Sequence, residues 1–387
     1  MIDAVSLSPP RSLDAVLLRS DFGLPEVALL QRLHYASKYH QNGTRAFSSP
    51  MESELASIVS TSLETLQEAT LDFVRLKNGP VDLNVAVAGD GPLIVCVHGF
   101  PELWYSWRHQ IEYFATRGYS VAALDVRGYG RSSKPSEIAA YTLRNIASDV
   151  AAVIDQLGNG RAILFGHDLG APIVWHTSLL YPDKVTAVAG LSVPFFPRGP
   201  IPFLEIMKGI YKDRFFYQVY FQQEGVAEAE LEQDVATSLR KIYFAASGDA
   251  PLNKWLEPKP YDAKLLDGFV DPNPYPAWMS DNDLRVYADA FRESGFRGPI
   301  NRYRAQLLEF DDLADLAGKM IAQPSCFIAG ERDLVRSFVP GTDLYGSPGI
   351  GCSDFRGSTI IPGIGHWVQQ EAPDETNAAL EIFLRSL

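Results

Sequence analysis

The sequence has few cysteines, no excess of positive charge and no long apolar run. Cys96, Cys326 and Cys352 are its 3 cysteines, far apart in 387 residues. An odd, widely spaced set suggests neither a disulfide framework nor a zinc site, and a reducing cytoplasm fits it best. Lys and Arg number 34 against 47 Asp and Glu, for a net charge of -13, and the pI is about 5.0. That balance argues against a nucleic-acid partner. The longest weakly polar run, Val185 to Pro197, is shorter than the roughly 20 residues a membrane span requires. Met1-Ile2-Asp3-Ala4 lacks the basic start and apolar region of a signal peptide. No G-x-S-x-G exists in the chain, which disfavours a serine esterase. Gly128-Tyr129-Gly130 lacks the G-x-G-x-x-G spacing and the following helix of a nucleotide loop. Internal repeats and low-complexity tracts are also missing.

What remains is an ordinary globular composition, 46% hydrophobic and 21% charged, long enough for one elaborated domain or a domain with an insertion. Residues 1–68 read as a separate helical extension. Val27, Leu29, Leu30 and Leu33 give Pro25 to about His40 an apolar face, and Ser49-Pro50-Met51-Glu52 is a good helix start. Leu55, Ile58, Val59, Leu63 and Leu66 follow at amphipathic spacing. A packing or dimer-contact role is expected there, in a monomer or homodimer.

From about Leu71 the period becomes that of strands. Leu71 to Leu76 and Val81 to Val87 predict a hairpin around Asn78-Gly79-Pro80. Strands follow at Leu93 to Val97, Ser120 to Val126, Ala162 to Phe165 and Val185 to Val193, with helices near Leu143 to Leu157 and Ala171 to Tyr181. Such alternation means an α/β class with a mostly parallel sheet flanked by helices. It stops at residue 194. Residues 194–307 are helical, aromatic-rich and jointed by prolines, which predicts an inserted helical cap. The sheet pattern returns at Pro324 to Ala329 and Thr359 to Ile361, before a last helix near Asp374 to Leu384. The expected organisation is therefore an extension (1–68), a core (69–193 and 308–387) and a cap (194–307).

Within the core, Gly166-His167-Asp168-Leu169-Gly170 joins an apolar strand to a helix. Small residues around the turn fit a nucleophile elbow, with a carboxylate at the position usually held by serine. An α/β core with an inserted lid and such an elbow is the plan of the α/β-hydrolase fold, whose chain order is nucleophile, acid, His. Asp168 is followed by Glu331 and Asp333, both after a strand end, and then by His366 in the Gly-rich loop Gly363-Ile364-Gly365-His366. Position alone leaves both acids open. Among the other histidines, His98 sits in a tight turn and reads as a structural hydrogen-bonder, and His167 should point away from the elbow.

The chain from Leu71 to Leu387 resembles the soluble epoxide hydrolases of the α/β-hydrolase fold. The motifs that carry the likeness are His98-Gly99-Phe100-Pro101, Gly128-Tyr129-Gly130-Arg131-Ser132 and Gly166-His167-Asp168-Leu169-Gly170. In the cap they are Phe216-Tyr217-Gln218-Val219-Tyr220-Phe221-Gln222 and Gly298-Pro299-Ile300-Asn301-Arg302-Tyr303-Arg304. The resemblance implies Asp333 as the acid and Tyr217 and Tyr303 as the groups that activate the epoxide oxygen. Many relatives carry Trp where this chain has Leu169, which puts substrate preference in doubt and leaves the backbone N–H in place.

The chemistry agrees. A serine opening an epoxide would form an ether that water does not readily cleave, whereas a carboxylate forms an ester that it does. Asp168 should form that ester, a Tyr O–H should serve the opening oxygen, and His366 should then activate water. The backbone N–H groups of Phe100 and Leu169 are the expected oxyanion donors. Phe100, Trp104, Leu169, Phe221 and Trp367 are expected pocket walls, for a small apolar epoxide. No metal or organic cofactor is required.

The nearest alternative is a haloalkane dehalogenase with the same Asp nucleophile. That reaction needs side-chain N–H donors for a halide beside the nucleophile, and Leu169 and Phe100 have none. A fluoroacetate dehalogenase would need Arg after the nucleophile, where Leu169 and Pro172 stand. A non-catalytic binding protein would have shed part of the set Asp168, Asp333, His366, Tyr217 and Tyr303.

Overall fold

Asn78-Gly79-Pro80 turns the chain back on itself, and the strands it joins, β1 (Asp72–Asn78) and β2 (Val81–Ala88), pair antiparallel with Asn78 opposite Val81. Gly79 adopts φ 56 there, a left-handed conformation that glycine takes without steric penalty. The computed structural model describes residues 70–387. The helices expected over Pro25–His40 and after Ser49 lie outside them.

Beyond the hairpin, apolar runs become strands buried on both faces. All five residues of β3 (Leu93–Val97) are buried, with Ile94 and Cys96 in one core layer and Val95 and Val97 in the other. That is the signature of a parallel strand covered by helices on each side. A short turn at Trp104–Trp107 leads to α1 (Arg108–Ala115), and β4 (Ser120–Leu124) follows. Helix α2 (Leu143–Leu157) buries Ile146, Val150, Val153 and Ile154, a stripe at helical spacing. β5 (Ala162–His167), α3 (Gly170–Leu180) and β6 (Val185–Leu191) complete the first half.

The next strand comes only at β7 (Ser325–Gly330), with β8 (Phe355–Ile361) after it. Between β6 and β7 the regular elements are helical. They include α4 (Phe203–Ile210), α5 (Tyr217–Tyr220), α6 (Val226–Leu231) and α7 (Val235–Ala246). α8 (Asp281–Ser294), α9 (Arg297–Arg304) and α10 (Gln306–Asp312) continue the series. Ser280 and Asp283 form a reciprocal capping box at the start of α8. The chain ends with α11 (Val368–Glu371) and α12 (Pro373–Arg385).

The sheet order is β1-β2-β4-β3-β5-β6-β7-β8, antiparallel through the β2–β4 pair and parallel beyond it. Chain direction reverses its spatial progress at β3, so β3 and β5 are neighbours and their carboxyl ends adjoin. In open sheets of this kind ligands bind at that edge. Loops after β3, β5, β7 and β8 carry Phe100, Asp168, Asp333 and His366 to it.

Candidate active site

Strand β5 ends at His167 and α3 starts at Gly170, so Asp168 and Leu169 make the whole turn. Asp168 has φ 50, a left-handed conformation rare for a residue with a side chain and a local strain. The turn closes because its neighbours are small. A methyl on Gly166 would collide with the Gly170 carbonyl and Val174, and one on Gly170 would collide with the Val97 carbonyl at the end of β3. A methyl on Gly99 would collide with the Asp168 carboxylate itself.

That carboxylate is buried and held at both oxygens. The Phe100 N–H donates to Oδ1 at 2.7 Å, and His366 Nε2 lies 3.2 Å from Oδ2. His366 Nδ1 lies 2.9 Å from Asp333 Oδ1, which also accepts from the Val335 N–H at 2.9 Å. The other acid, Glu331, is exposed and accepts from the Gly363 N–H. Geometry therefore separates the two acids that position left open. Leu169 is buried, and among the described residues its N–H, at the mouth of α3, meets no protein acceptor.

The electrostatics follow from this packing. Burial pushes the Asp168 carboxyl up, but the His366 hydrogen bond and charge, the His167 charge and the Phe100 N–H outweigh it and hold the group below the usual carboxylate range. Asp333 is likewise held low, because His366 and the Val335 N–H outweigh its burial. Burial alone would lower His366, yet Asp333 and Asp168 on its two nitrogens raise it well above the usual imidazole value. Asp168, His366 and Asp333 form a buried, strongly paired cluster.

Tyr217 opens α5 and Tyr303 lies near the end of α9. Their ring centroids are 5.7 Å apart, and Phe221, one turn after Tyr217, touches both at 5.6 and 5.0 Å. Phe100 meets Tyr303 at 5.4 Å and Phe221 at 5.5 Å. The residue whose backbone holds Asp168 thus packs its ring against the tyrosine group. Both hydroxyls are pushed above the ordinary phenol value, first by burial and further by the negative charge of Asp168. They remain O–H donors at any ordinary pH.

The two tryptophans expected as pocket walls are placed differently. The Trp104 ring packs edge-on against Phe73 and Tyr105, at 5.0 and 5.5 Å, away from the ring contacts of Tyr217 and Tyr303. The Trp104 backbone N–H donates to Asp125 Oδ1 at 3.1 Å. Trp367 stands beside His366, 4.8 Å from it and 4.6 Å from Tyr243, with its indole N–H donating to the Tyr243 carbonyl. Residues outside any motif take part instead. Trp255 and Phe338 lie 5.5 and 6.0 Å from Tyr217.

Behind the elbow lies a buried polar group that the sequence did not signal. Glu102 Oε2 accepts from the Gly99 N–H at 2.9 Å and faces His167 Nδ1 at 2.7 Å. His167 Nε2 reaches the His366 carbonyl at 2.8 Å, as does the Ser192 hydroxyl. His98 is fully engaged with backbone, taking the Val126 N–H on Nε2 and facing the Gly99 carbonyl with Nδ1. Among the described residues no group of three or more His, Cys, Asp or Glu converges as metal ligands, and no helix is long and apolar enough to cross a membrane.

Residues 92–335 match the family model described as alpha/beta hydrolase fold. Epoxide hydrolase A of Mycobacterium tuberculosis is 42% identical over 316 residues, covering 79% of this chain and 95% of that protein. Epoxide hydrolase 2 of Siraitia grosvenorii is 35% identical over 320 residues, covering 81% and 98%. The crystal structure of epoxide hydrolase A from Mycobacterium thermoresistibile superposes with a TM-score of 0.76 at 39% identity, covering 82% of this chain and 98% of that one. An epoxide hydrolase from an endophytic Streptomyces gives 0.77 at 41%, covering 82% and 96%. The chain therefore belongs to the α/β-hydrolase fold family and, within it, to the epoxide hydrolases.

Proposed function

We propose that the protein adds water to a small apolar epoxide, giving a vicinal diol through an ester on Asp168. The observation that supports this most is the division of labour on one carboxylate: Oδ1 rests on the Phe100 N–H and Oδ2 faces His366. Oδ2 is then the attacking atom. It forms a bond to an epoxide carbon while the ring C–O bond breaks, and Tyr217 and Tyr303 donate hydrogen bonds and a proton to the departing oxygen.

In the second step His366, oriented by Asp333, takes a proton from water, and the hydroxide attacks the carboxyl carbon of Asp168. Oδ1, already on the Phe100 N–H, becomes the oxyanion and gains the Leu169 N–H. Collapse breaks the bond between Cγ and Oδ2, and the diol leaves with Oδ2, which takes the proton of the added hydroxyl; the proton held by His366 returns to the tyrosine that gave one up. Residues 194–307 serve as the lid that brings the tyrosines, on a core made of 69–193 and 308–387. Phe100, Leu169, Phe221, Trp255 and Phe338 form an apolar wall that suits an uncharged substrate. Leu169 and Phe100 offer no side-chain N–H to a halide, so a dehalogenase gains no support. The three buried free cysteines accord with action in the cytoplasm.

A single turnover of styrene oxide in heavy-oxygen water tests the ester. The first diol should carry no label and Asp168 should acquire it. Label in the first-turnover diol would overturn the covalent route.

A further inference from the structure

Among the side chains outside the triad that fasten the loop carrying His366, one grips both neighbours of that histidine. Glu371, the last residue of α11, turns its carboxylate back onto that loop. The Trp367 N–H donates to Oε1 at 3.0 Å and the Gly365 N–H to Oε2 at 3.0 Å. These are the two residues flanking the base. Oε2 also accepts from the Gly248 N–H at 2.8 Å, just beyond the end of α7. Beside this clip the His366 N–H donates to the carbonyl of Ala246, the last residue of α7, at 2.9 Å.

The surroundings leave little slack. A methyl on Gly365 would collide with the backbone from Ala246 to Gly248, one on Gly248 with the Gly363 carbonyl, and one on Gly330 with the Gly365 carbonyl. The loop is therefore in backbone contact with the end of β7 on one side and the end of α7 on the other. Burial pushes the Glu371 carboxyl up to about 7 against the pull of its three N–H donors. The site disfavours the charge, and hydrogen bonds to both neighbours of the base hold it there.

We propose that Glu371 is a positioning residue for the second half-reaction, setting the backbone register of His366 between Asp333 and Asp168 and tying it to the end of α7. This rests on the ester mechanism above. Opening the epoxide needs Asp168 and the tyrosines and no proton transfer by His366. Hydrolysis needs the imidazole aligned with both water and the ester carbon, and misplacement by about 1 Å can slow such a step about 100-fold. Glu371 thus acts on one of two successive rates. Glu371→Gln retains the shape but turns one acceptor into a donor facing an N–H.

The test is rapid-quench analysis of the full chain with styrene oxide, following ester formation and ester decay by mass. In E371Q, formation should stay near the wild-type rate and decay should fall about 10- to 100-fold. Ester then accumulates, and kcat and KM fall together with kcat/KM retained. E371D keeps the charge one methylene short and should decay at an intermediate rate; it carries the test if E371Q does not fold. Decay unchanged in a folded variant, or formation slowed as much as decay, overturns the proposal. Failure of the wild type to form any ester is a separate result, and it would reject the mechanism instead.

Discussion

Replacing Tyr217 and Tyr303 by Phe, singly and together, isolates the ring-opening step. Each change removes one O–H donor and leaves the ring contacts with Phe221 and Phe100 in place. Both hydroxyls lie in a buried aromatic cluster, so water is poorly placed to take over their role. Loss of one preorganised donor to a developing oxyanion raises a barrier by about 2.7–4 kcal/mol, or about 10²- to 10³-fold in rate. Each single variant should show that loss in the rate of ester formation. The double variant should lose more than either, since one remaining donor still serves the same oxygen. The Gln218 amide that donates to the Tyr217 hydroxyl at 2.9 Å loses its acceptor in Tyr217→Phe, a stability loss of about 1–3 kcal/mol. Ester decay should be untouched, because it runs through His366 and the backbone donors. Rapid-quench mass analysis of the Asp168 peptide reads both rates. Unchanged ester formation in the double variant would refute the role of the cap tyrosines.

Two further changes probe the core. Asp333→Asn removes the charge from His366 Nδ1 and puts a donor where an acceptor stood; ester decay should slow by about 10⁴, as for the comparable change in a Ser-His-Asp triad, and ester should accumulate on Asp168 in intact-mass spectra. Glu102→Gln disrupts a fully buried carboxylate–imidazole hydrogen bond, which should lower stability by about 1–3 kcal/mol in chemical denaturation. Glu102 is held below its usual range, since His167 and the Gly99 N–H outweigh burial. Its stabilisation is therefore present above the ordinary carboxylate value and lost as pH falls through the depressed one. The acid limb of wild-type stability should flatten in E102Q, and an identical acid limb would count against the pairing.

How much of this was legible depended on how local each signal is. Leu93–Val97 and Leu143–Leu157 have the bounds their patterns predict, because an apolar run and a helical stripe are contained in the segment itself. β8 begins at Phe355, well before the expected Thr359, because this edge strand alternates exposed and half-buried residues and lacks an apolar run. Its early part is defined by pairing with Ser325, a contact beyond any sequence window. The same divide runs through the site. Asp168 announces itself by glycines two residues away on each side. Glu102, Trp255, Phe338 and Glu371 carry no local mark and arrive by tertiary contact alone. Trp104, expected as a pocket wall, has its ring against Phe73 and Tyr105, contacts that no local pattern marks.

The high proton affinity of His366 looks unsuited to a base, since a base works best with a pKa near the working pH. It becomes intelligible when the two steps are taken in sequence. In the resting site Asp168 and Asp333 both face the ring and both raise it. A protonated His366 then helps keep Asp168 ionised, which the nucleophile requires. In the proposed mechanism ester formation would remove the charge of Asp168 and with it one of the two carboxylates supporting the imidazolium. Burial, which opposes the charged ring throughout, is then balanced by Asp333 alone. The ring is pushed toward releasing its proton at the stage when hydrolysis needs a base. Ester cleavage restores the Asp168 carboxylate and the support for a protonated ring. On the proposed mechanism a carboxylate nucleophile would govern its own partner, and the absence of serine at the elbow would account for the timing of the base as well as for the bond that forms.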